Sequence, residues 1–403
     1  MLRARRTHAY VSFTGAFALS FALLIGCART SETDTSAASA APAAAGAAGA
    51  PANTSANGTG IVRVYNWSEY VAEDTIPNFQ SRTGLRVEYN EYTSNQVLEA
   101  RLKETPTAYD VIFPSARPNA QQMLASGQLQ PLDKNRLPNW KHLDPAILSE
   151  LSKIDPGNRH FVPYMWGTTG LGMNVEQVKA ALGPNASLDS WSLLFDPGSA
   201  SKLSKCGIGV MDDVLEALSP ALIWRGYGVN DHSDAANAAA ERVYMNIRPY
   251  IRKFTGSTEL ISDLAEGNLC LALSFSGDIV QSQARAVELG KKHEIRYVVP
   301  REGALRWTDV MAIPKQAQHA NHAHAFIDYM MEPKVIAAVS NYVAYANANR
   351  GSIELLDPAV SKDTSIYPSA ATLAKLQTLQ VTTPADYDKR NQVWNRVVYG
   401  HLP

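Results

Sequence analysis

The stretch VRVYNWSEY at residues 62–70 joins two patterns that recur along the chain. Its first half is a short β-branched and aromatic run of the kind that forms a buried strand. Its second half places aromatic rings beside an acidic residue at the point where the strand ends. Similar strand-like runs alternate with helical stretches through the rest of the chain, and this alternation predicts an α/β fold with mostly parallel sheets.

The predicted elements follow from the spacing of apolar residues. Strands are expected at residues 62–65, 85–89, 110–113, 207–211, 269–273, 295–299 and 310–313. Helices are expected at residues 72–80, 95–103, 119–126 and 322–331. The polar stretch after Ala370 is interpreted as helical and suited to packing on an outer face.

Length and composition limit the class of protein. The chain has 403 residues, of which 45% are hydrophobic and 19% charged, and its 37 Lys and Arg nearly balance 38 Asp and Glu. The absence of a basic excess argues against nucleic acid as a partner. The hydrophobic content argues against disorder, and the length suffices for two domains.

The N-terminal sequence is typical of an exported lipoprotein. Three arginines within the first six residues precede an apolar stretch at residues 10–25, as in a signal peptide. The residues LIGC that end at Cys27 resemble the lipobox of bacterial lipoproteins. We therefore expect a lipoprotein signal peptide at residues 1–26 and acylation of Cys27. An ordinary signal peptide and an uncleaved membrane anchor are the alternatives.

Residues 27–60 are rich in Ala, Ser, Thr, Gly and Pro. Such a composition buries too little apolar surface to offset its conformational entropy, so a flexible tether is predicted. Removal of residues 1–26 takes away three Arg and no acid, which leaves 34 basic and 38 acidic residues and a net charge of −4. No later apolar run approaches the ~20 residues that a spanning helix needs.

Two cysteines remain if Cys27 is acylated, and they are Cys206 and Cys270. Because an exported protein folds in an oxidising compartment, a disulfide between them is expected. Two buried free thiols are the alternative.

Motifs for catalysis and metal binding are not evident. The residues SFSGD at 274–278 lack the first glycine of a nucleophile elbow, and no glycine-rich phosphate loop of standard spacing occurs. His319, His322 and His324 lack the i, i+4 pairing and companion carboxylate of a zinc motif and are interpreted as the solvated start of a helix. We therefore predict a binding protein that is not an enzyme and has neither a cofactor nor a metal.

Aromatic residues beside acids recur at the ends of predicted strands. Besides residues 62–70, the segment 274–278 follows one strand, and Trp307 and Asp309 precede another. In open α/β sheets, ligands bind outside the carboxyl ends of the strands. Aromatic faces attract cations, and a carboxylate gives an ammonium group a charge-assisted hydrogen bond. The combination predicts an elongated cationic ligand with apolar spacers.

Five segments together resemble the periplasmic polyamine-binding proteins of bacterial ABC importers, the putrescine and spermidine receptors. They are YNWSEY at 65–70, YDVIFPS at 109–115, PYMWGTTG at 163–170, GD at 277–278 and YANAN at 345–349. The resemblance implies the two-lobed type II periplasmic-binding-protein fold, in which each lobe is a mixed, mostly parallel sheet flanked by helices. It also implies a hinge, a ligand cleft between the lobes and a disulfide in the second lobe.

The likeness covers essentially residues 61–400. Lobe 1 is expected at residues 61–167 plus about 300–340, and lobe 2 at about 168–299 plus 341–403.

The same resemblance implies a set of ligand contacts. Its aromatic members would flank the methylenes of a polyamine, its hydroxyls would contact an amine, and its acids would bind ammonium groups. This predicted ligand set is Trp67, Ser68, Glu69, Tyr70, Ser115, Asp213, Glu216, Phe275, Asp278, Trp307, Asp309 and Tyr345. Phe275 stands where the family usually has Trp.

The choice between putrescine and spermidine stays open at this stage. Trp307, Glu69 and Asp213 look like the spermidine branch of the family, whereas the chain as a whole looks closer to the putrescine branch. Arg117 adds a cation beside Ser115 and would repel a polyamine unless it turns outward or pairs with Glu69.

Hinge closure around the polyamine and delivery to ABC permease subunits is the function that the resemblance implies. There are two alternatives. One is a polyamine sensor with the same pocket, and the other is a protein of the same fold that binds a different solute. A sugar or a ferric ion would be such a solute, although iron would need clustered tyrosines and histidines. We expect a monomer in the periplasm that touches the membrane only through its lipid anchor and does not bind nucleic acid.

Overall fold

The computed structural model describes residues 60–380 and 382–400. The predicted signal peptide, Cys27 and the predicted tether up to residue 59 lie outside these residues. In the described part of the chain, none of the helices combines the length and the apolarity needed to cross a bilayer.

Strands and helices alternate as the sequence predicts. The strands are β1 (Ile61–Trp67), β2 (Arg86–Tyr92), β3 (Val111–Ile112), β4 (Val162–Asn174), β5 (Ile208–Met211), β6 (Lys253–Thr255), β7 (Leu271–Phe275), β8 (Ile295–Val298), β9 (Ala304–Met311), β10 (Ala346–Asn347) and β11 (Leu376–Gln377). The helices are α1 (Thr75–Thr83), α2 (Asn95–Glu104), α3 (Gln121–Ala125), α4 (Pro145–Leu151), α5 (Val175–Leu182), α6 (Ser192–Phe195), α7 (Pro197–Leu203), α8 (Val214–Trp224), α9 (Asp234–Ile247), α10 (Ser257–Glu266), α11 (Ser276–Glu288), α12 (Ala320–Met330), α13 (Pro333–Val343), α14 (Pro358–Ser361), α15 (Ala370–Leu373) and α16 (Pro384–Tyr399).

The described strands form two sheets. The smaller has the order β2-β1-β3 and is parallel throughout. The larger has the order β11-β9-β4-β7-β5-β6, and β8 and β10 also pair with β4. Strand β5 runs parallel to β6 and β7, and β11 runs parallel to β9, whereas β4 is antiparallel to all four of its partners. The mixed α/β class is confirmed.

Two regions of hydrophobic core lie on either side of the cavity described below. One, which includes Trp191 and Trp394, collects residues from β5, β7 and helices α5 to α9 and α16. The other, which includes Phe113 and Phe326, surrounds β1, β3, α12 and α13. Strands β4 and β9 contribute side chains to both regions and so connect them. This is a two-lobed arrangement, and the residue boundaries predicted for each lobe stay a prediction.

Several predicted elements differ in position from the observed ones. The strand predicted at 310–313 is the end of β9, which already begins at Ala304. The helix predicted at 119–126 is divided into a π-helical turn at Ala116–Ala120 and the short helix α3. The C-terminal stretch after Ala370 is helical in part, and its long helix α16 packs one face against the core through Arg390, Val393, Trp394 and Val397.

The three histidines are held by neighbouring segments of the protein. His319 Nδ1 lies 3.1 Å from Asp110 Oδ2, and the Nε2 atom of His324 accepts a hydrogen bond of 2.9 Å from the backbone N–H of Asp133. The prediction of a solvated helix start is wrong for His324, which is buried. Within residues 60–380 and 382–400, no group of three His, Cys, Asp or Glu side chains could hold a metal ion.

The disulfide between Cys206 and Cys270 is confirmed, with Cα atoms 5.5 Å apart. Cys270 directly precedes β7 and Cys206 lies two residues before β5, and in these paired parallel strands Ile208 lies opposite Leu271. The disulfide therefore fixes the two strands at their shared starting edge, inside the core that contains Trp191.

Candidate ligand-binding site

A cavity of about 770 Å³ opens between the two core regions. All twelve members of the predicted ligand set line it, together with Arg117. They come from the loop after β1, the loop after β3, the start of α8, the β7–α11 junction, strand β9 and the segment before β10. The structure thus brings the whole set together, and contact of each member with a ligand stays a prediction.

Asp309, on strand β9, is the carboxylate on the side of β1 and β3. Its Oδ2 accepts a hydrogen bond from the Tyr70 hydroxyl at 3.0 Å, and its Oδ1 accepts one from the Ser115 hydroxyl at 2.8 Å. An isolated antiparallel bridge between Ser115 and Asp309 holds the two residues side by side. Burial raises the pKa of Asp309 to about 7, although the two hydroxyls stabilise the ionised form.

Asp278 lies in the first turn of α11. Its carboxylate accepts hydrogen bonds from the Tyr345 hydroxyl at 2.7 Å and the Ser274 hydroxyl at 3.1 Å. A Cβ atom at Gly277 would lie 2.3 Å from the ring of Tyr345, so the glycine permits this ring to pack against the helix. Burial raises the pKa of Asp278 to about 6, and the nearby charge of Glu69 adds to the effect.

Glu216 and Asp213 stand at the start of α8 on the other side of the cavity. Glu216 accepts a hydrogen bond from the hydroxyl of Thr169 on β4. Burial, together with the charges of Asp213 and Asp309, raises its pKa to about 8. Asp213 Oδ1 caps the helix by accepting hydrogen bonds of 3.0 Å from the backbone N–H groups of Leu215 and Glu216. One oxygen of Asp213 is therefore engaged within the protein, a role that the sequence prediction did not include.

Aromatic rings form a continuous wall beside the acids. The ring of Trp307 lies 5.4 Å from those of Phe275 and Tyr345, and Tyr345 lies 5.3 Å from Tyr70, all edge to face. The indole N–H of Trp307 is buried without a hydrogen-bond partner. Trp67 is oriented by a hydrogen bond of 2.8 Å from its Nε1 to a backbone carbonyl. Such a wall suits methylene groups between charged ends.

Ser68 and Glu69 lie at the cavity edge. The backbone N–H of Ser68 donates to the Tyr92 carbonyl at 3.0 Å, and its hydroxyl lies 3.4 Å from the same oxygen. Glu69 is exposed and adopts a left-handed backbone conformation with φ of 56°. A left-handed φ is uncommon for a residue with a side chain and is found more often at functional sites.

Arg117 does not pair with Glu69, as one predicted alternative had it. Its Nη1 lies 3.9 Å from Glu150 Oε1, and its Nη2 donates to the Glu150 carbonyl oxygen at 3.5 Å. The side chain is only 12% exposed and still lines the cavity.

Acidic side chains outnumber basic ones nine to two among the described residues that line the cavity. The acids are Glu69, Glu99, Asp212, Asp213, Glu216, Glu259, Asp278, Asp309 and Asp388, and the bases are Lys103 and Arg117. A cavity of this charge favours cations. Burial raises the pKa of Glu216, Asp278 and Asp309 because it penalises their ionised forms, and a bound cation would reverse this effect.

Sequence reasoning missed several lining residues. Tyr387, on α16, accepts a hydrogen bond of 3.1 Å from Gln96 of α2, and Gln122 of α3 donates one of 3.2 Å to the Thr382 carbonyl. These bonds join the two sides of the cavity at its edge. Thr169 lies within the PYMWGTTG segment and could have been found there, whereas the interpretation of α16 as an outer helix hid Tyr387.

Two core regions connected by β4 and β9, with an acidic and aromatic cavity between them, define a two-lobed protein that binds a small molecule in the cleft between its lobes. A family model described as bacterial extracellular solute-binding protein matches residues 75–368. The chain belongs to this family, which confirms the fold class predicted from the resemblance.

Relatives extend the match over most of the chain. The putrescine-binding periplasmic protein SpuD of Pseudomonas aeruginosa is 41% identical over 340 residues, which cover 84% of this chain and 92% of that protein. The putrescine-binding periplasmic protein PotF of Escherichia coli is 40% identical over 340 residues, which cover 84% of this chain and 91% of that protein. Among solved structures, a spermidine/putrescine ABC transporter substrate-binding protein of Streptococcus pneumoniae is similar, with a TM-score of 0.69 and 25% identity. The match covers 84% of this chain and 98% of that protein. The predicted resemblance to polyamine-binding proteins is confirmed, and these relatives are binding proteins rather than enzymes.

Proposed function

We propose that this protein captures a polyamine in the periplasm and delivers it to an ABC importer. The observation that carries the proposal is that three acids in the cavity, Asp278, Asp309 and Glu216, have no basic partner in the part of the chain that the structure describes. None of the three forms an ion pair with a basic side chain within the described residues, and burial raises the pKa of each. Two buried carboxylates and a half-buried one, all without a basic partner among residues 60–380 and 382–400, favour a cationic ligand.

A polyamine supplies what these carboxylates lack. Each ammonium group would form a charge-assisted hydrogen bond with an acid and would restore its ordinary ionisation. The methylenes between the ammonium groups would pack against the wall formed by Phe275, Trp307, Tyr345 and Tyr70. A sugar would leave the acids unpaired, and a buried unpaired charge is costly.

Capture would proceed by closure of the two lobes about β4 and β9. These strands contribute to both core regions, so bending them would move one lobe against the other. The hydrogen bonds from Gln96 to Tyr387 and from Gln122 to the Thr382 carbonyl, which already join the two sides in this structure, would hold the closed edge. Closure removes water from the acids and rings and so strengthens their contacts with the ligand.

Delivery to an ABC importer is supported by the similarity to the Streptococcus pneumoniae protein, which is the substrate-binding protein of a spermidine/putrescine ABC transporter. Uptake of labelled putrescine by cells that lack the protein tests delivery, and uptake equal to that of unaltered cells would contradict it.

Ligand class is tested by thermal unfolding of the purified protein with putrescine, cadaverine, agmatine, spermidine, spermine and several neutral sugars. We expect stabilisation by amines and none by sugars, because binding to the native state raises its apparent stability. Stabilisation by a sugar with no response to any amine would contradict the proposal.

Membrane attachment would depend on acylation of Cys27. The apolar stretch that ends in LIGC supports this part of the proposal. Incorporation of labelled palmitate into the protein, and its loss in Cys27→Ala, is the expected result. Labelling that persists in the variant would contradict acylation at this residue. We further propose that the protein acts as a monomer, and its mass by light scattering tests this.

A further inference from the structure

We propose that Arg117 makes the cavity selective for diamines over triamines. Arg117 adds a positive charge to the lining of a cavity in which acids outnumber bases, and this charge disfavours a third ammonium group. This inference rests on the proposed polyamine binding and specifies which member of that class the protein prefers.

The position of Arg117 follows from the loop after β3. Ser115, two residues earlier, donates a hydrogen bond from its hydroxyl to Asp309 at 2.8 Å, and Arg117 is the second residue of the π-helical turn that leads into α3. With a side chain only 12% exposed, Arg117 is shielded from the screening that weakens surface charges. The same loop thus carries one contact to a buried carboxylate and one buried cation.

The charge of Arg117 is incompletely matched. Its Nη1 lies 3.9 Å from Glu150 Oε1, well beyond the 2.7 to 2.9 Å that is usual for a charge-assisted hydrogen bond. Glu150 is meanwhile bound at 2.6 Å by Lys153 Nζ, so one carboxylate faces two cations. The cluster of Arg117, Glu150 and Lys153 therefore keeps a net positive charge on this side of the cavity.

Volume does not discriminate between the two ligand classes, because about 770 Å³ accommodates the longer chain as well as the shorter. Charge does discriminate. Two ammonium groups can be matched by Asp278 and Glu216. The third carboxylate, Asp309, is bound by Ser115, two residues from Arg117, so an ammonium group placed there would lie beside the loop that carries the guanidinium. The third ammonium group of a triamine brings another positive charge into the same cavity as Arg117, and the two charges repel each other. Glu69, the acid that would serve a third ammonium group, is exposed, and an exposed acid contributes little.

An anion subsite is the competing explanation of a buried arginine in a cavity. Arg117 would then bind the carboxylate of an amino acid such as 4-aminobutyrate, which has an ammonium group at one end only. The neighbouring Ser115–Asp309 pair argues against it, because a ligand carboxylate near Asp309 would be repelled. The acidic excess in the lining favours a fully cationic ligand.

Isothermal titration calorimetry of the full protein with putrescine, spermidine and 4-aminobutyrate tests the inference. We expect tighter binding of putrescine than of spermidine. In Arg117→Gln, spermidine should bind about 10- to 30-fold more tightly, as loss of one weakly screened repulsion predicts, while putrescine changes by less than about threefold. Arg117→Lys keeps the charge and should keep the preference. Arg136→Gln removes a surface arginine that pairs with Asp133 at 3.3 Å and should change neither affinity.

The outcomes separate this inference from the proposed function. If neither polyamine binds the unaltered protein, the proposed function is wrong and this inference with it. An unchanged ratio of spermidine to putrescine affinity in a folded Arg117→Gln variant overturns the inference alone. Binding of 4-aminobutyrate that Arg117→Gln abolishes would show an anion subsite and also overturn it. If Arg117→Gln does not fold, loss of the preference in Arg117→Lys would overturn it.

Discussion

Replacement of Asp278 by asparagine tests the central carboxylate of the cavity. The side chain is 6% exposed and accepts hydrogen bonds from Tyr345 and Ser274, the first at 2.7 Å. Asparagine has nearly the same shape and keeps one acceptor oxygen, so the substitution removes charge with little change in packing. Any loss of affinity then reports the interaction of a carboxylate with a cation.

The expected loss follows from the burial of the pair. Two unit charges about 4 Å apart attract by ~4 kcal/mol at an effective dielectric constant of ~20. Truncation of one partner of a buried charge pair typically costs ~2 to 5 kcal/mol. The asparagine oxygen still accepts a hydrogen bond from an ammonium group. We therefore expect a loss of binding free energy of about 2 to 4 kcal/mol, which weakens polyamine affinity roughly 30- to 900-fold.

Without ligand, the same substitution should be favourable, because it should raise the stability of the folded protein. Burial raises the pKa of Asp278 from 3.8 to about 6, so the ionised form is disfavoured in the folded state by at most about 3 kcal/mol. This penalty is present above pH 6 and absent below the unfolded pKa of ~3.9. The Asp278→Asn variant should therefore be more stable than the unaltered protein at pH 8 without ligand, and not at pH 4.

Calorimetry with putrescine and spermidine at pH 7.5, with thermal unfolding of the ligand-free proteins, measures both effects. Asp328→Asn is a matched control, since burial also raises the pKa of Asp328 but this residue does not line the cavity. It should leave affinity unchanged. If folded Asp278→Asn binds both polyamines as tightly as the unaltered protein, the assignment of Asp278 as a ligand contact is refuted.

Three further predictions follow from the cavity. Trp307→Phe should weaken spermidine more than putrescine by calorimetry, since the larger ring covers more of a longer chain, and equal losses would contradict this. Gly277→Ala should destabilise the protein by about 1 to 3 kcal/mol in chemical unfolding, because the added Cβ would lie 2.3 Å from the Tyr345 ring, and unchanged stability would show that the ring can move. Affinity for putrescine should rise from pH 6 to pH 8, as Asp309 and Glu216, with pKa values of about 7 and about 8, lose their protons while amines near ~10.4 keep theirs. The same ionisation should lower the stability of the ligand-free protein over this range, since the stabilisation that a carboxyl with a raised folded pKa provides is lost as pH rises. An affinity that does not change between pH 6 and pH 8 would contradict the first statement, and an unchanged thermal stability of the ligand-free protein would contradict the second.

Strand β4 shows where prediction of the fold from sequence failed. The shorter strands could be predicted because their β-branched and aromatic runs stand out from polar surroundings. Strand β4 contains glycines and little alternation, and its extended conformation depends on pairing with β7, β8, β9 and β10. A Cβ at Gly170 would lie 2.5 Å from the Val298 carbonyl oxygen, and one at Gly172 would lie 2.2 Å from Ile279. The glycines that obscure the strand in sequence are thus those that let its neighbours approach.

The site could be predicted further than the fold because its chemistry is local. A ring beside an acid is visible in the sequence, and Trp307 and Asp309 were found as such a pair ahead of the strand predicted at 310–313, although both lie within β9. The partner that a long side chain selects is not visible, since Arg117 reaches Glu150 across 33 positions of sequence. The dual role of Asp213 as lining acid and helix cap was hidden for the same reason.

The net charge of the chain gave little indication of this chemistry. Surface charges largely compensate each other, as in the ion pair of Arg82 and Glu332 at 2.6 Å, and such pairs contribute little to stability. The cavity acids are different because burial makes their unpaired ionised forms unfavourable, which raises the pKa of Glu216 to about 8. A cation that enters removes this penalty and gains the attraction at the same time. Affinity for a polyamine thus depends on where a few carboxylates are left without partners, and a sum over the sequence that is close to zero is compatible with a strongly cation-selective site.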